Sequence, residues 1–264
     1  MQITRDVLTL DYSKTTKVIV RFIRKVVTNA SAKGAVVGLS GGVDSSVVGA
    51  LCVRALGKKR VIGILMPVSH TPKKDVEDAK SLSKDWGIRT YEVRIDKVFS
   101  AFSDGMPLKE RNRVADANVK ARIRMVINYY FANSLGMLVA GTGDKSEDII
   151  GYFTKYGDGG VDFLPIAHLY KTQVRQLGAH LGLPSRVTAK PASPQLWPGH
   201  KATDEIPIEY ERLDLVLYGL FDAKLRPAEV SKRTGVNLEV IKDVLRKHKG
   251  SGHKRAYPPM LGSW

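Results

Sequence analysis

An apolar run, Ala35-Val36-Val37, leads directly into Gly38-Leu39-Ser40-Gly41-Gly42-Val43-Asp44-Ser45-Ser46. A buried strand, a glycine-rich turn and a helix in immediate succession commit this stretch to a β-turn-α unit. Gly41 and Gly42 permit a sharp turn and the close approach of an anion to backbone N–H groups. Ser40, Ser45 and Ser46 add hydroxyl donors. The helix that starts near Asp44 directs the positive end of its dipole to the same place. This is a phosphate cradle, but it lacks Gly-Lys-Ser/Thr and is therefore not a Walker-type loop. An ordinary tight βα turn is the other reading of two adjacent glycines.

The rest of the chain repeats the unit. Residues 14 to 30 carry Val18, Ile19, Phe22, Ile23, Val26 and Val27 on one helical stripe. Strands are expected at 35–39, 61–66, 90–95 and 137–140, and helices at 44–56, 73–86 and 109–135. Gly57, Gly87 and Gly136 follow the three helices. Strands alternating with helices at this spacing predict an α/β fold, a doubly wound parallel sheet. Strand four ends in a second glycine turn, Gly141-Thr142-Gly143-Asp144. A strand order of 3-2-1-4 would set both glycine turns around one crevice at the carboxyl ends of the strands. Residues 151–165 read as a functional loop and 184–207 as a long loop, while 169–181, 208–220, 227–234 and 238–248 read as helices.

The chain has 264 residues, 43% of them apolar, which suits one large domain with a packed core. Its formal net charge is +16, an excess that attracts nucleic acid or small molecules rich in phosphate. The basic residues are dispersed, so charge alone does not choose between these partners. Cys52 is the single cysteine and sits in an apolar helix pattern, so no internal disulfide is possible. There is no 18-residue apolar run and no apolar signal core. The expectation is a soluble cytoplasmic protein with no membrane partner.

Ser-Gly-Gly-x-Asp-Ser at 40–45 resembles the PP-loop of enzymes that split ATP into AMP and pyrophosphate. Residues 141–166, Gly-Thr-Gly-Asp-Lys-Ser-Glu-Asp-Ile-Ile-Gly-Tyr-Phe-Thr-Lys-Tyr-Gly-Asp-Gly-Gly-Val-Asp-Phe-Leu-Pro-Ile, are narrower. Together with Asn118–Met125, Leu196-Trp197-Pro198-Gly199 and His253-Lys254-Arg255, they resemble the ammonia-dependent NAD synthetases over nearly the whole chain. The resemblance implies a sheet of the adenine nucleotide alpha hydrolase-like, Rossmann-like kind with C-terminal helices. It also implies one domain over 1–264: a helical segment (1–33), a nucleotide-binding core (34–190), a lid loop (191–207), and C-terminal helices with a substrate-binding tail (208–264).

The implied chemistry is adenylation of deamido-NAD by ATP, then attack by ammonia, with magnesium as the metal. Asp44 and Glu147 match the metal ligands, although an N-cap and a first-turn dipole partner are their plain alternatives. ATP falls to Gly38, Leu39, Ser40, Gly41, Gly42, Val43, Asp44, Ser45, Thr142, Lys171 and Ser193, with Asp44 and Lys171 as the catalytic pair. The family more often has threonine at the position of Ser193 and glutamine at that of His200. Deamido-NAD falls to Arg122, Lys155, Asp162, His253 and Lys254. Arg122 and Arg124 lie two apart and cannot share a helix face. A homodimer is implied as well, and the apolar Val18, Phe22 and Val26 are compatible with one.

Three rivals stand beside this reading. Residues 227–247, with Gly235 between two short helices, could form a nucleic-acid-binding helix-turn-helix. A tRNA-modifying PP-loop enzyme that transfers sulfur would commonly use paired cysteines, and only Cys52 is present. A glutamine-using synthetase needs a further glutaminase domain, for which this chain has no room. The expected partners are thus small molecules and a second copy of the chain, with no nucleic acid.

Overall fold

Four parallel strands carry the core, β1 (Ala35–Gly38), β2 (Val61–Leu65), β3 (Arg89–Glu92) and β4 (Leu138–Ala140), in the order β3-β2-β1-β4. Ala35 pairs with both Val61 and Leu138, so β1 lies between β2 and β4. The computed structural model describes residues 2–108, 110, 112–193, 197, 199 and 202–261, with Thr203 as backbone only. Side chains alternate across the sheet as the pleat requires. Ala35 and Val37 enter one apolar cluster with α1 (Tyr12–Asn29), α2 (Val43–Leu56) and α7 (Lys171–His180). Val36, Ile62, Ile64 and Val139 enter another, against α5 (Arg113–Leu135). Helices therefore cover both faces.

Helix ends follow the glycines. Gly57, Gly87 and Gly136 all take positive φ after α2, α3 (Lys73–Trp86) and α5. Within the stripe of α1, Ile19, Ile23 and Val27 are buried, Val26 is half-buried, and Val18 and Phe22 are exposed. Three expectations need correction. The third strand ends at Glu92, and α4 (Asp96–Asp104) follows, a helix not expected from the sequence. α5 starts at Arg113 rather than 109, because Asn112 accepts the N–H groups of Val114 and Ala115 as its cap; Lys109 is outside the described residues. A short helix, α8 (Ser185–Thr188), interrupts the expected loop at 184–207. Of the expected lid, residues 194–196, 198, 200 and 201 lie outside the described residues, and with them Leu196, Pro198 and His200.

The C-terminal third forms its own cluster. It contains α9 (Tyr210–Leu217) running into a π-helical turn (Tyr218–Asp222), α10 (Pro227–Thr234) and α11 (Leu238–Gly250). α6 (Lys145–Ile150) contributes Ile149 and Ile150 to that cluster. Among the described residues, no helix is long and apolar enough to cross a membrane.

Candidate active site

The two glycine turns face one another because β1 and β4 are hydrogen-bonded neighbours. Gly41 has φ +78, and a Cβ there would lie 2.2 Å from the Asp75 carbonyl oxygen, so the turn admits only glycine. Ser45 and Ser46 each donate through Oγ to the Gly42 carbonyl, at 3.2 and 2.8 Å. Ser40 Oγ accepts from Gly42 N at 3.2 Å and lies 3.1 Å from Ser45 Oγ. Gly42 is the N-cap of α2, which makes Asp44 the second residue of the helix rather than its cap.

A cavity of about 440 Å³ opens above these turns. Gly38–Ser40 and Gly42–Ser45 line one wall, and Ala140–Gly143 another. Glu147, Lys171, Ser193, Trp197, Tyr210 and Lys254 also line it. At its floor the Lys171 ammonium, with only 1% of its side chain exposed, meets three carboxylates: Asp44 at 2.9 Å, Asp144 at 2.8 Å and Glu147 at 2.8 Å. Burial alone would push the lysine down. The charges of Asp144, Asp44 and Glu147 together outweigh it and hold the ammonium well above its usual range. Burial, then the surplus of negative charge, raises the carboxyl of Glu147 well above its ordinary value. Asp144 is raised too, by burial first.

Local sequence explains how these groups converge. Asp144 caps α6 by accepting Glu147 N at 2.9 Å, and Glu147 Oε2 accepts Asp144 N at 3.4 Å, a reciprocal capping box. Asp44 and Lys171 each lie in the first turn of a helix that points at the cavity.

The expected dinucleotide contacts separate into groups. Lys254 lines the cavity, but its ammonium also donates to the carbonyls of Gly151 at 2.8 Å and Phe153 at 2.7 Å. Arg122, Lys155, Asp162 and His253 are not in the lining. Arg122 donates to the Lys155 carbonyl at 3.3 Å, and Lys155 Nζ donates to the His253 carbonyl at 2.5 Å, so the exposed Arg122 and His253 are joined through the half-buried Lys155 in one patch. Both oxygens of Asp162 serve the fold, accepting Tyr129 Oη at 3.1 Å and Val139 N at 2.7 Å. Arg124, on the other face of α5, lines the cavity and donates to the Met66 carbonyl at 3.2 Å.

The NAD synthase family model matches residues 15–258. The chain belongs to the NAD synthase family. It is 50% identical over 258 residues to the NH(3)-dependent NAD(+) synthetase of Staphylothermus marinus, covering 97% of this chain and 94% of that protein. Among solved structures, an NMN synthetase from Francisella tularensis superposes with a TM-score of 0.85 at 29% identity, covering 96% of this chain and all of that one. The NH3-dependent NAD synthetase of Campylobacter jejuni, in complex with the nitrate ion, gives 0.82 at 30% identity, with the same coverage of each chain.

Within this NAD synthase chain, three site residues escaped sequence reasoning. Asp144 was readable, because Asp-x-x-Glu at 144–147 is a capping-box pattern. Tyr210 brings a buried hydroxyl, without a hydrogen-bond partner among the described residues, to the cavity wall. Its ring lies 5.2 Å from the Lys171 ammonium. Arg124 was separable from Arg122 by helical phase, but the phase does not say which of the two faces the cavity.

Proposed function

We propose that this chain is an ammonia-dependent ligase that converts deamido-NAD to NAD, consuming ATP and releasing AMP and pyrophosphate. One observation carries the reading. A buried lysine and three carboxylates sit at the floor of a cavity walled by two glycine turns. The names of the similar proteins support it.

A carboxylate is a poor electrophile. Its oxygen attacks the α-phosphorus of ATP, the bond to pyrophosphate breaks, and the acyl-adenylate that forms has a good leaving group. Ammonia adds to the acyl carbon, AMP departs, and the nitrogen loses a proton. The first step needs charge neutralisation around the triphosphate. In our reading the 38–45 turn supplies backbone N–H groups and the hydroxyls of Ser40 and Ser45. Lys171 supplies a fixed positive charge, and Thr142 and Ser193 contact the nucleotide from the other walls.

The residues present fit magnesium. Asp44 and Glu147 are hard oxygen donors in the lining, and Asp44 Oδ1 is buried without a hydrogen-bond partner among the described residues. Among the described residues, no set of three or more acidic, histidine or cysteine side chains is arranged as a metal cage. Magnesium beside a nucleotide usually takes only one or two carboxylates. Bound there, it would neutralise phosphate charge.

We assign deamido-NAD to Lys254 and the patch of Arg122, Lys155 and His253, with Asp162 as the remaining contact. Of the lid expected at 191–207, Ser193 and Trp197 line the cavity, and we assign them to the nucleotide side of the site. We also propose a homodimer, in which Val18 and Phe22 become covered, and a cytoplasmic location. A sulfur-transferring tRNA enzyme is disfavoured by Cys52, which is fully buried with its thiol pushed up to about 12 by burial.

The test is one incubation with ATP, magnesium and ammonium, resolved by chromatography. Deamido-NAD should yield NAD and AMP in equal amounts. If the acid form of NMN is amidated and deamido-NAD is not, the chain shares the activity named for the Francisella protein instead. Absence of AMP with either substrate sinks the ligase reading.

A further inference from the structure

α9 lies outside the sheet and its nucleotide turns, yet its Asp214 reaches α6 and α7, two of the three helices that carry the ionic cluster. The residue is 0% exposed and does not line the cavity. Oδ1 accepts from Ser146 Oγ at 2.6 Å, and Oδ2 accepts from Thr172 N at 2.8 Å. Ser146 Oγ in turn accepts from Lys171 N at 3.0 Å. The first N–H groups of any helix need partners from outside it. At α7 the N-cap residue, Tyr170, sends its hydroxyl to Asp222 at 3.0 Å. The first two N–H groups of α7 are therefore satisfied by Asp214, directly and through one hydroxyl.

The placement is specific. Ser146 immediately precedes Glu147, and Lys171 and Thr172 open α7. One carboxylate thus joins the backbone of Lys171 to the residue beside Glu147. Its negative charge also suits the positive end of the α7 dipole. Burial pushes the Asp214 carboxyl up to about 6, with the bonds from Ser146 and Thr172 pulling it back. It is ionised at neutral pH.

Resting on the ligase reading above, we propose that Asp214 is a positioning residue for adenylation: it locks the first turn of α7 to α6 and so sets the spacing of Lys171 and Glu147. Asp222, two turns on, grips the preceding pair of residues, accepting Lys145 Nζ at 2.6 and 2.8 Å as well as Tyr170 Oη. Asp214 and Asp222 therefore brace the site from behind, since neither lines the cavity. Mispositioning of a charged group by about 1 Å costs on the order of a hundredfold in rate.

The experiment uses the full chain with deamido-NAD, ATP, magnesium and ammonium. Asp214→Asn keeps the shape and removes the charge. It should lower kcat for pyrophosphate release at least about tenfold, with KM for both substrates within about twofold. Ser146→Ala removes one hydroxyl and tests the same relay if the first variant does not fold. Its kcat should fall in the same direction, and the double variant should lose no more than the worse single one. Unchanged kcat, a KM increase as large as the kcat loss, or losses that multiply would overturn the proposal. Hydrogen exchange at the Thr172 amide gives a readout independent of turnover. It should be at least about tenfold faster in Asp214→Asn, or in Ser146→Ala if only that folds, and an unchanged rate overturns the staple. Wild-type protein that releases no AMP would refute the ligase reading alone, because the exchange measurement still decides the role of Asp214.

Discussion

Asp144 and Lys171 form the innermost ion pair of the site, 2.8 Å apart, with 0% and 1% of their side chains exposed. Asp44 and Glu147 touch the same ammonium but also line the cavity, whereas Asp144 does not. The three acids therefore divide their work. Asp144 is the permanent counter-ion that holds Lys171 in place. Asp44 and Glu147 are the two whose oxygens can turn to a ligand. A buried pair loses heavily when one partner is removed, because the other charge is left unmatched.

Two substitutions separate these roles. Asp144→Asn should destabilise the fold by about 3 kcal/mol in urea, a loss that magnesium and ATP do not restore. Asp44→Asn should melt within a few degrees of wild type and lose most of its turnover. Near-normal turnover of Asp44→Asn would exclude it as a metal ligand.

The cradle makes a sterically sharper test. At Gly41 a methyl group would meet the Asp75 carbonyl at 2.2 Å, on a backbone with φ +78. Gly41→Ala has both strain and a backbone clash to relieve, at a cost of roughly 1–3 kcal/mol. Gly42 has φ −86, and a Cβ there would lie 3.3 Å from Ser40 Oγ. Gly42→Ala should accordingly retain more nucleotide affinity than Gly41→Ala, as read by calorimetric titration with ATP. Equal losses would show that the conformation of the turn is not what limits binding.

His253 tests the dinucleotide side. Its side chain is exposed, and its backbone carbonyl, not its ring, accepts Lys155. His253→Ala should leave stability unchanged and raise KM for deamido-NAD several-fold, with KM for ATP unaffected. Deleting the tail from Gly252 is a blunter change, because Arg255 also donates to the carbonyls of Asp148 and Ile149 at the end of α6. An equal rise in both KM values for His253→Ala would argue against a substrate contact.

Both glycine turns and the alternation of strands with helices were legible because their signals are local, and the order 3-2-1-4 was inferred from them rather than read directly. Apolar runs of four or five residues, each followed by a glycine or a helical stripe, leave few topologies. The Asp144 cap was equally local. What the sequence hid was long-range: Ser146 and Asp214 are 68 positions apart, and nothing near Asp214 marks it except an acid on an otherwise apolar helical stripe. Resemblance has a similar limit at Asp162. It placed the residue with the dinucleotide, whereas in the fold its oxygens also tie α5 to β4 through Tyr129 and Val139.

Asp214 links stability to function through pH. Its carboxyl titrates near 6 in the folded chain, against an ordinary 3.8. Below pH 3.8 the folded and unfolded chains both hold the proton, and the residue adds no pH dependence. Between about pH 4 and 6 the unfolded chain releases the proton first, so this group lowers stability as pH rises, by about 3 kcal/mol in all. Asp214→Asn lacks that titration. The stability gap between wild type and variant should therefore be widest near pH 4 and narrow by about 3 kcal/mol by pH 7, measured by urea unfolding at each pH. At neutral pH the chain then keeps a charge that costs it stability, which is expected of a group retained to place Lys171 rather than to hold the fold together. A gap independent of pH would mean that Asp214 titrates at its ordinary value and that its burial is not felt.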